Sequence, residues 1–257
     1  MAHHHTTPSL NELVTGVANR LKTAGTGFYL MVFIAAAVVL ASAGTGLMAM
    51  IKGHEAYYNV YREVPWGVLI ATYVFFVVSS TGLCLISSIG HVFGVQDFMP
   101  IAKRSVFLSI ATILSGFFVI AFEIKLPWRM AIWNVISPNL TSNIWWMGTL
   151  YGMALGFMLL EFWLILTRHY SLALALGILG ALAEVAANTC LGGVFSTLAA
   201  RPFWYGSQLP VYFLACAVVS GAAAAILFTH YATLIRGKEM ERTVFEGVQA
   251  AGKVLLL

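Results

Sequence analysis

Carboxylates and histidines inside long apolar segments are the residues of this chain best suited to chemistry. Glu184 lies near the middle of one such segment, and Asn188 follows one helical turn later on the same face. A charged side chain at the centre of a bilayer costs about 2.5–3.5 kcal/mol on insertion scales, so such residues are functional candidates. Glu184 and Asn188 are predicted to bind or relay a proton. The structural alternative is a protonated Glu184 that only hydrogen-bonds a neighbouring helix.

Three further titratable residues lie near the ends of apolar segments. Glu161, His91 and His230 all fall on the side of the N-terminus if the segments cross a membrane in alternating directions. Histidines and carboxylates are the usual proton-relay groups, so together with Glu184 they predict a half-channel for protons on that side. Taken singly, each can equally reach interfacial water and have no further role.

A second set of candidates lies at the opposite ends of the segments. A quinone site needs an apolar slot for the ring and tail, hydrogen-bonding groups for two oxygens, and a base for its protons. The residues predicted to supply them, or to dock a partner protein, are Glu63, Glu123, Arg129, Trp133, Arg201 and Trp204. Arg129 and Arg201 can alternatively be interfacial anchors, and His54 is a weaker candidate of the same kind.

Composition determines which elements position these residues. Sixty per cent of the chain is hydrophobic and 9% is charged, against about 25% charged in an ordinary soluble domain, which excludes that class. Because about 20 apolar residues span a bilayer, six spans are predicted, at 28–52, 66–93, 105–126, 144–167, 171–199 and 209–235. The predicted fold is an all-α, polytopic transmembrane helical bundle. Ser79, Ser80, Thr81 and Gly82 in the second span allow close helix contact or a ligand inside the bilayer.

The flanking segments are predicted to lie on one side of the membrane. Residues 1–26 comprise a cytoplasmic tail and an amphipathic surface helix that opens with a capping box from Ser9 to Glu12. Residues 27–236 form the bundle. Residues 237–257 form a cytoplasmic segment in which a seventh span can begin at Val254, so the chain is either truncated or a short form.

The distribution of positive charge predicts the orientation. Nine of the 14 lysines and arginines fall on the N-terminal side: Arg20, Lys22, Lys103, Arg104, Arg168, Arg236, Lys238, Arg242 and Lys253. The positive-inside rule therefore predicts a cytoplasmic N-terminus in the inner (plasma) membrane. Six of the seven tryptophans lie on the other side, which indicates an outer surface that holds a flat ligand or a docked subunit. The three cysteines lie inside spans without CxxC spacing, so no metal site or iron–sulfur cluster is predicted.

The order of several short segments resembles a known family. The run from Pro65 to Gly94, then Lys103-Arg104, then Glu123 to Arg129, then Ser137-Pro138-Asn139, and finally Ala200 to Trp204 is similar to the NrfD/polysulfide-reductase membrane-subunit family. Two features depart from the family pattern. Lys125 stands where the family has glycine, and family members have eight to ten helices.

The resemblance implies a subunit without haem that binds a quinone such as menaquinone near the outer interface. It also implies electron exchange with a ferredoxin-like iron–sulfur subunit, in a complex with a molybdopterin or multihaem cytochrome c subunit. Membrane lipid is an expected partner and nucleic acid is not. Such a chain is not a complete enzyme by itself. Two alternatives remain open: a haem b anchor that uses His91 and His230, and a secondary transporter or channel.

Overall fold

The computed structural model describes residues 10–60, 63, 66–236 and 239–256, and their regular secondary structure is helical. The predicted all-α helical bundle is confirmed. Ten α-helices occur in this part of the chain: α1 (Leu10–Lys22), α2 (Thr26–Lys52), α3 (His54–Tyr58), α4 (Val68–His91), α5 (Met99–Glu123), α6 (Pro127–Ile136), α7 (Asn143–Leu166), α8 (Tyr170–Ser196), α9 (Leu209–Arg236) and α10 (Arg242–Val254).

Six of these helices are long and apolar enough to cross a membrane, as predicted. They are α2, α4, α5, α7, α8 and α9. The largest difference in bounds is at α5, which begins at Met99 rather than at residue 105. Pro100 is compatible with the first turn of a helix, because the backbone N–H groups there have no intrahelical partner. Lys103 and Arg104 therefore belong to the helix and not to the preceding loop.

The spans alternate in direction and give the bundle two distinct ends. The tryptophan-rich end carries Trp66, Trp128, Trp133, Trp145, Trp146 and Trp204, together with the short helices α3 and α6. The basic end carries Lys22, Lys103, Arg168 and Arg242, together with α1 and α10. At the tryptophan-rich end, Ser142 caps α7 by accepting a hydrogen bond from the Trp145 backbone N–H, as its sequence position allows.

Helix α4 occupies the centre of the bundle and packs against α5, α8 and α9. Its contact with α9 depends on glycine. A Cβ atom at Gly82 would lie 1.8 Å from the carbonyl oxygen of Ala217 and 2.8 Å from Cα of Gly221. The two backbones therefore touch, in the manner expected where small residues face one another within a membrane.

Helix α2 is placed very differently from α4. Only 6% of its most apolar stretch is buried, against 56% for α4. It contacts the rest of the bundle near the tryptophan-rich end, where Gly46 lies against the Phe122 ring. Most of its apolar surface therefore faces away from the other helices.

The two terminal helices lie at the basic end. The predicted amphipathic helix is present as α1, whereas Ser9 of the predicted capping box lies outside the described residues. The Tyr29 hydroxyl donates to the Leu21 carbonyl and so ties α1 to α2. Helix α10 buries Gly247, Ala250 and Ala251, and Val254, where a seventh span can begin, is its last residue.

Candidate functional site

The Glu184 carboxylate lies at the centre of a buried hydrogen-bond network. Its side chain is 0% exposed. It accepts hydrogen bonds from Ser80 Oγ at 2.9 Å and from Thr81 Oγ1 at 2.7 Å, both of which α4 presents from consecutive positions. The Ser80 hydroxyl also lies 2.9 Å from that of Ser109 on α5. The network therefore joins α4, α5 and α8 at the middle of the bundle.

On the tryptophan-rich side of Glu184, two buried polar side chains have no hydrogen-bond partner for their polar atoms among the described residues. Both the Nδ2 and Oδ1 atoms of Asn188 and the hydroxyl of Tyr151 are buried without a partner among the described residues. The Tyr151 hydroxyl lies near Thr81, and Tyr73 and Tyr151 both lie within electrostatic range of Glu184. A buried unsatisfied polar group costs about 1–3 kcal/mol. Such a cost is unusual in a core unless the groups bind something.

On the basic side of Glu184, polar residues continue along α4 towards His91. Cys84 lies within electrostatic range of both Glu184 and Glu161. Within the described chain, Ser87 Oγ and His91 Nε2 are buried and lack hydrogen-bond partners. The part of α4 that leads to its basic end is thus polar on its buried side.

Glu161 is the second carboxylate buried in the bundle. It belongs to α7 and its side chain is 4% exposed. Its carboxylate packs against Gly177 of α8, where an added Cβ would lie 2.8 Å from Oε1. Glycine at this position therefore provides the space that the carboxylate occupies.

Four of the five predicted relay residues lie in this buried region. Glu184 and Asn188 lie at its centre, Glu161 lies beside α8, and His91 lies at the end of α4. The fifth residue, His230, has an exposed side chain on α9, so the structure places it outside the buried network.

A cavity lined by aromatic side chains lies at the tryptophan-rich end between α4, α8 and α9. We call it the aromatic cleft; its volume is about 630 Å³, and Trp66, Ile70, Val74, Phe195, Trp204 and Phe213 line it. The Trp66 and Trp204 rings are stacked with centroids 6.2 Å apart and planes 24° apart. Phe195 meets Trp66 edge-on at 5.1 Å. An apolar cavity of about 240 Å³ shares Val74 and Phe213 with it and continues towards Ser79.

The residues predicted for the quinone pocket lie in three places rather than one. The Arg201 guanidinium donates to the Glu63 carbonyl, beside Trp204 and the aromatic cleft. Arg129 and Trp133 are located on α6, where the Trp133 side chain is 50% exposed. The third place is Glu123, which lies near α3.

Glu123, the last residue of α5, lies among polar groups of α3. His54 Nε2 lies 2.7 Å from the Phe122 carbonyl oxygen. Burial and the nearby Glu123 carboxylate both raise the pKa of Tyr58. Of the Glu123 carboxylate, Oε2 is buried with no partner in the described part of the chain.

A smaller cavity, here called the α6 cleft, lies between α4, α5, α6 and α7. Its volume is about 280 Å³, and its lining includes Tyr73, Ile120, Pro127, Met130, Asn134 and Met147. Helix α6 is fixed over it by polar contacts to α7. Trp145 Nε1 donates to the Asn134 carbonyl at 2.8 Å, and Asn134 Nδ2 donates to Thr149 Oγ1 at 2.9 Å.

Sequence reasoning missed several residues of these sites. Phe195 and Phe213 line the aromatic cleft, and Tyr151 lies in the buried network. The four-residue spacing of Ile70 and Val74 was a usable signal, since it places them on one face of α4. No sequence pattern distinguishes Tyr151 from the other aromatics of its span.

Comparison with known proteins places the whole arrangement in context. The chain is 23% identical over 237 residues to the Hdr-like menaquinol oxidoreductase integral membrane subunit of Archaeoglobus fulgidus, covering 90% of this chain and 58% of that protein. It is 24% identical over 200 residues to a selenate reductase subunit of Mesobacillus selenatarsenatis, covering 62% of this chain and 46% of that protein. The chain therefore spans about half the length of the curated relatives that it matches.

A protein-family model also matches most of the described bundle. Residues 57–257 match the model described as "Polysulphide reductase, NrfD", a region that begins in α3 and includes α4 to α10. This agrees with the resemblance seen in the sequence, and the chain is a multi-pass membrane protein of the NrfD polysulphide reductase family.

Proposed function

We propose that this chain is the quinone-reactive membrane subunit of a respiratory electron-transfer complex, and that the aromatic cleft holds the quinone ring. The cleft itself is the observation that carries the proposal. Its volume of about 630 Å³ falls within the range of about 300–1,000 Å³ that is typical of small-molecule sites. Its stacked and edge-on aromatic rings suit a flat, apolar ring.

The residues around the cleft match the requirements of the reaction. Oxidation of a quinol releases two electrons and two protons, and reduction of a quinone takes them up. The Tyr212 hydroxyl and the indole N–H groups of Trp66 and Trp204 line the cleft and can hydrogen-bond the ring oxygens. The Arg201 guanidinium, which donates to the Glu63 carbonyl, lies just outside this lining. The adjoining apolar cavity, which Val74 and Phe213 share with the cleft, suits the isoprenoid tail.

Electron exchange requires a second subunit. The relative from Archaeoglobus fulgidus is named as a menaquinol oxidoreductase membrane subunit, which supports menaquinone as the quinone. The proposed partner is a ferredoxin-like iron–sulfur subunit docked at the tryptophan-rich end, linked to a molybdopterin or multihaem cytochrome c subunit. The excess of lysine and arginine at the basic end favours a cytoplasmic N-terminus in the plasma membrane.

Glu184 is proposed as a proton-binding group of the same subunit. Cys84 lies within electrostatic range of both Glu184 and Glu161, and α4 continues from Cys84 to His91, which supports a half-channel to the basic end. In this role the carboxylate takes up one proton and later releases it, and no electron passes through it. The hydroxyls of Ser80 and Thr81 orient its two oxygens.

Substitution of a cleft tryptophan tests the quinone site. Replacing Trp204 by Leu should raise the KM for a menaquinol analogue at least about tenfold in the complex purified in mild detergent, because the stacked ring is lost. Trp128→Leu is the matched control, since Trp128 belongs to the same end but is 61% exposed on α6 and does not line the cleft. An equal KM in Trp204→Leu and the native complex would rule out this cleft.

Mass spectrometry of the complex isolated through this subunit tests the partner. Recovery of an iron–sulfur subunit with a molybdopterin or multihaem protein is the expected result. Recovery of this chain alone under gentle conditions would overturn the electron-transfer role. A reduced-minus-oxidised visible spectrum of the same sample tests the alternative of a haem b anchor, which would show the absorption bands of a b-type haem.

A further inference from the structure

We propose that the bundle contains a hydrated proton path through its whole thickness, which runs along α4 from Tyr73 through Glu184 to His91. The inference rests on the proposed proton-binding role of Glu184 and extends it. A half-channel connects Glu184 to the basic end only, whereas this path also connects it to the α6 cleft at the tryptophan-rich end.

The first half of the path, from the α6 cleft to Glu184, is inferred from buried polar groups that lack hydrogen-bond partners among the described residues. Asn188 is 0% exposed, and neither its amide nitrogen nor its amide oxygen has a hydrogen-bond partner in the described chain. The buried Tyr151 hydroxyl also has no hydrogen-bond partner in the described chain. Buried water typically makes about three hydrogen bonds to such groups. An amide that both donates and accepts, a phenol and a carboxylate form the polar surroundings that a buried water requires.

Tyr73 extends this region to the α6 cleft. Its side chain lines the cleft and lies within electrostatic range of both Glu184 and Tyr151. The hydroxyls of Tyr73 and Tyr151 both donate and accept hydrogen bonds. They can therefore pass a proton between water in the cleft and water beside Asn188.

The second half of the path lies on one face of α4. Ser80, Cys84, Ser87 and His91 recur at intervals of four, three and four residues, which places them in line along the helix. Ser87 Oγ and His91 Nε2 are buried and also lack partners among residues that the structure describes. Unsatisfied polar atoms thus occur on both sides of Glu184, as a continuous path requires.

The chemistry of the path favours protons over other ions. Transport proceeds when Glu184 takes a proton from the Asn188 side and releases one to the Ser87 side. One proton crosses in each cycle, no electron moves, and the carboxylate returns to its starting state. Hydrogen bonds from Ser80 and Thr81 hold the Glu184 carboxylate at the middle of the path, where it accepts the proton from one side and releases it to the other.

Proton flux into vesicles tests the path without any quinone. The complex is reconstituted in phospholipid vesicles containing the pH dye pyranine, and valinomycin with a potassium gradient sets the voltage. We expect a flux above that of protein-free vesicles, reduced at least fivefold in Asn188→Leu, Ser87→Val and Glu184→Gln. Thr189→Val and Ser115→Ala are matched controls, since each removes a hydroxyl that bonds its own helix. Both controls should retain the native flux.

Two outcomes would overturn the path. One is a native flux equal to that of protein-free vesicles. The other is a native flux that Asn188→Leu leaves unchanged, since Glu184 would then connect to one side only. Tyr151→Phe makes the same comparison if Asn188→Leu does not assemble. Quinol oxidation measured on the same vesicles is independent: its loss with intact flux would remove the quinone site and leave the path standing.

Discussion

At the residue scale, the surroundings of each carboxylate decide what it can do. Glu184 and Glu161 are both buried inside a membrane bundle, but only Glu184 receives two hydroxyl hydrogen bonds from a neighbouring helix. Glu161 lies instead against a glycine that leaves room for it. The roles of the two carboxylates are therefore tested by different substitutions.

Glu184→Gln removes the titrating group and keeps its size. We expect proton-coupled quinol turnover of the reconstituted complex to fall at least about tenfold, because general acid–base groups typically contribute more than this. The measurement is quinol oxidation together with proton release. Glu246→Gln is the control, since Glu246 lies in an exposed ion pair with Arg242 on α10. Native turnover and proton stoichiometry in Glu184→Gln would remove this residue from the mechanism.

Gly177→Ala tests Glu161 without replacing it. The new Cβ would lie 2.8 Å from the Glu161 carboxylate oxygen, so this flexible side chain must shift. We expect proton release per electron pair to change while the melting temperature stays within a few degrees of the native value. In the control Gly180→Ala, the nearest atoms lie 3.6 Å from the new Cβ. Identical proton release in both variants would argue that Glu161 has only a structural role.

At the element scale, α4 links the sites. One face carries Ile70 and Val74 to the aromatic cleft, another presents Ser80 and Thr81 to Glu184, and Gly82 meets α9. Any displacement of α4 therefore changes several contacts at once. Its close approach to α9 is the contact most sensitive to size.

Gly82→Ala should separate α4 from α9. A Cβ atom 1.8 Å from the Ala217 carbonyl oxygen cannot be accommodated by a side-chain rotation, so a backbone must move. We expect destabilisation of about 3 kcal/mol, at the upper end of overpacking costs, measured by thermal unfolding in detergent. Gly156→Ala on α7 is the control, because no atom of another described helix lies within 4 Å of its new Cβ. Equal stability of the two variants would show that this contact is looser than described.

At the scale of the whole molecule, the proposed roles of the two ends of the bundle depend on which end faces the cytoplasm. The tryptophan-rich end holds the aromatic cleft and the basic end holds α1 and α10. The proposed docking of a redox partner requires the first end to face away from the cytoplasm. Charge asymmetry supports this orientation.

Labelling of single cysteines in intact cells tests the orientation. Leu140→Cys at the tryptophan-rich end should react with a membrane-impermeant maleimide from outside, and Lys253→Cys in α10 should react only after permeabilisation. Leu140 is exposed, whereas Cys84 is buried and Cys190 and Cys216 are partly buried. The reverse pattern would place the aromatic cleft on the cytoplasmic side.

The sequence by itself determined the class of fold, the six spans, the family and the burial of Glu184. Each depends on local information: long apolar segments, their order, and a titratable residue in the middle of one. The amphipathic face of α1 and the capping position of Ser142 are equally local and were also predictable.

Only the tertiary structure decided which of the predicted site residues lie together. Contacts between helices depend on how each span is rotated about its axis, and an apolar span shows no polar face from which that rotation can be read. For this reason His230 and Trp133 proved to be exposed, while Tyr151 and Phe195 joined the sites. The partners of Glu184 on α4 are 103 and 104 residues away in sequence, and packing alone brings them within hydrogen-bond distance.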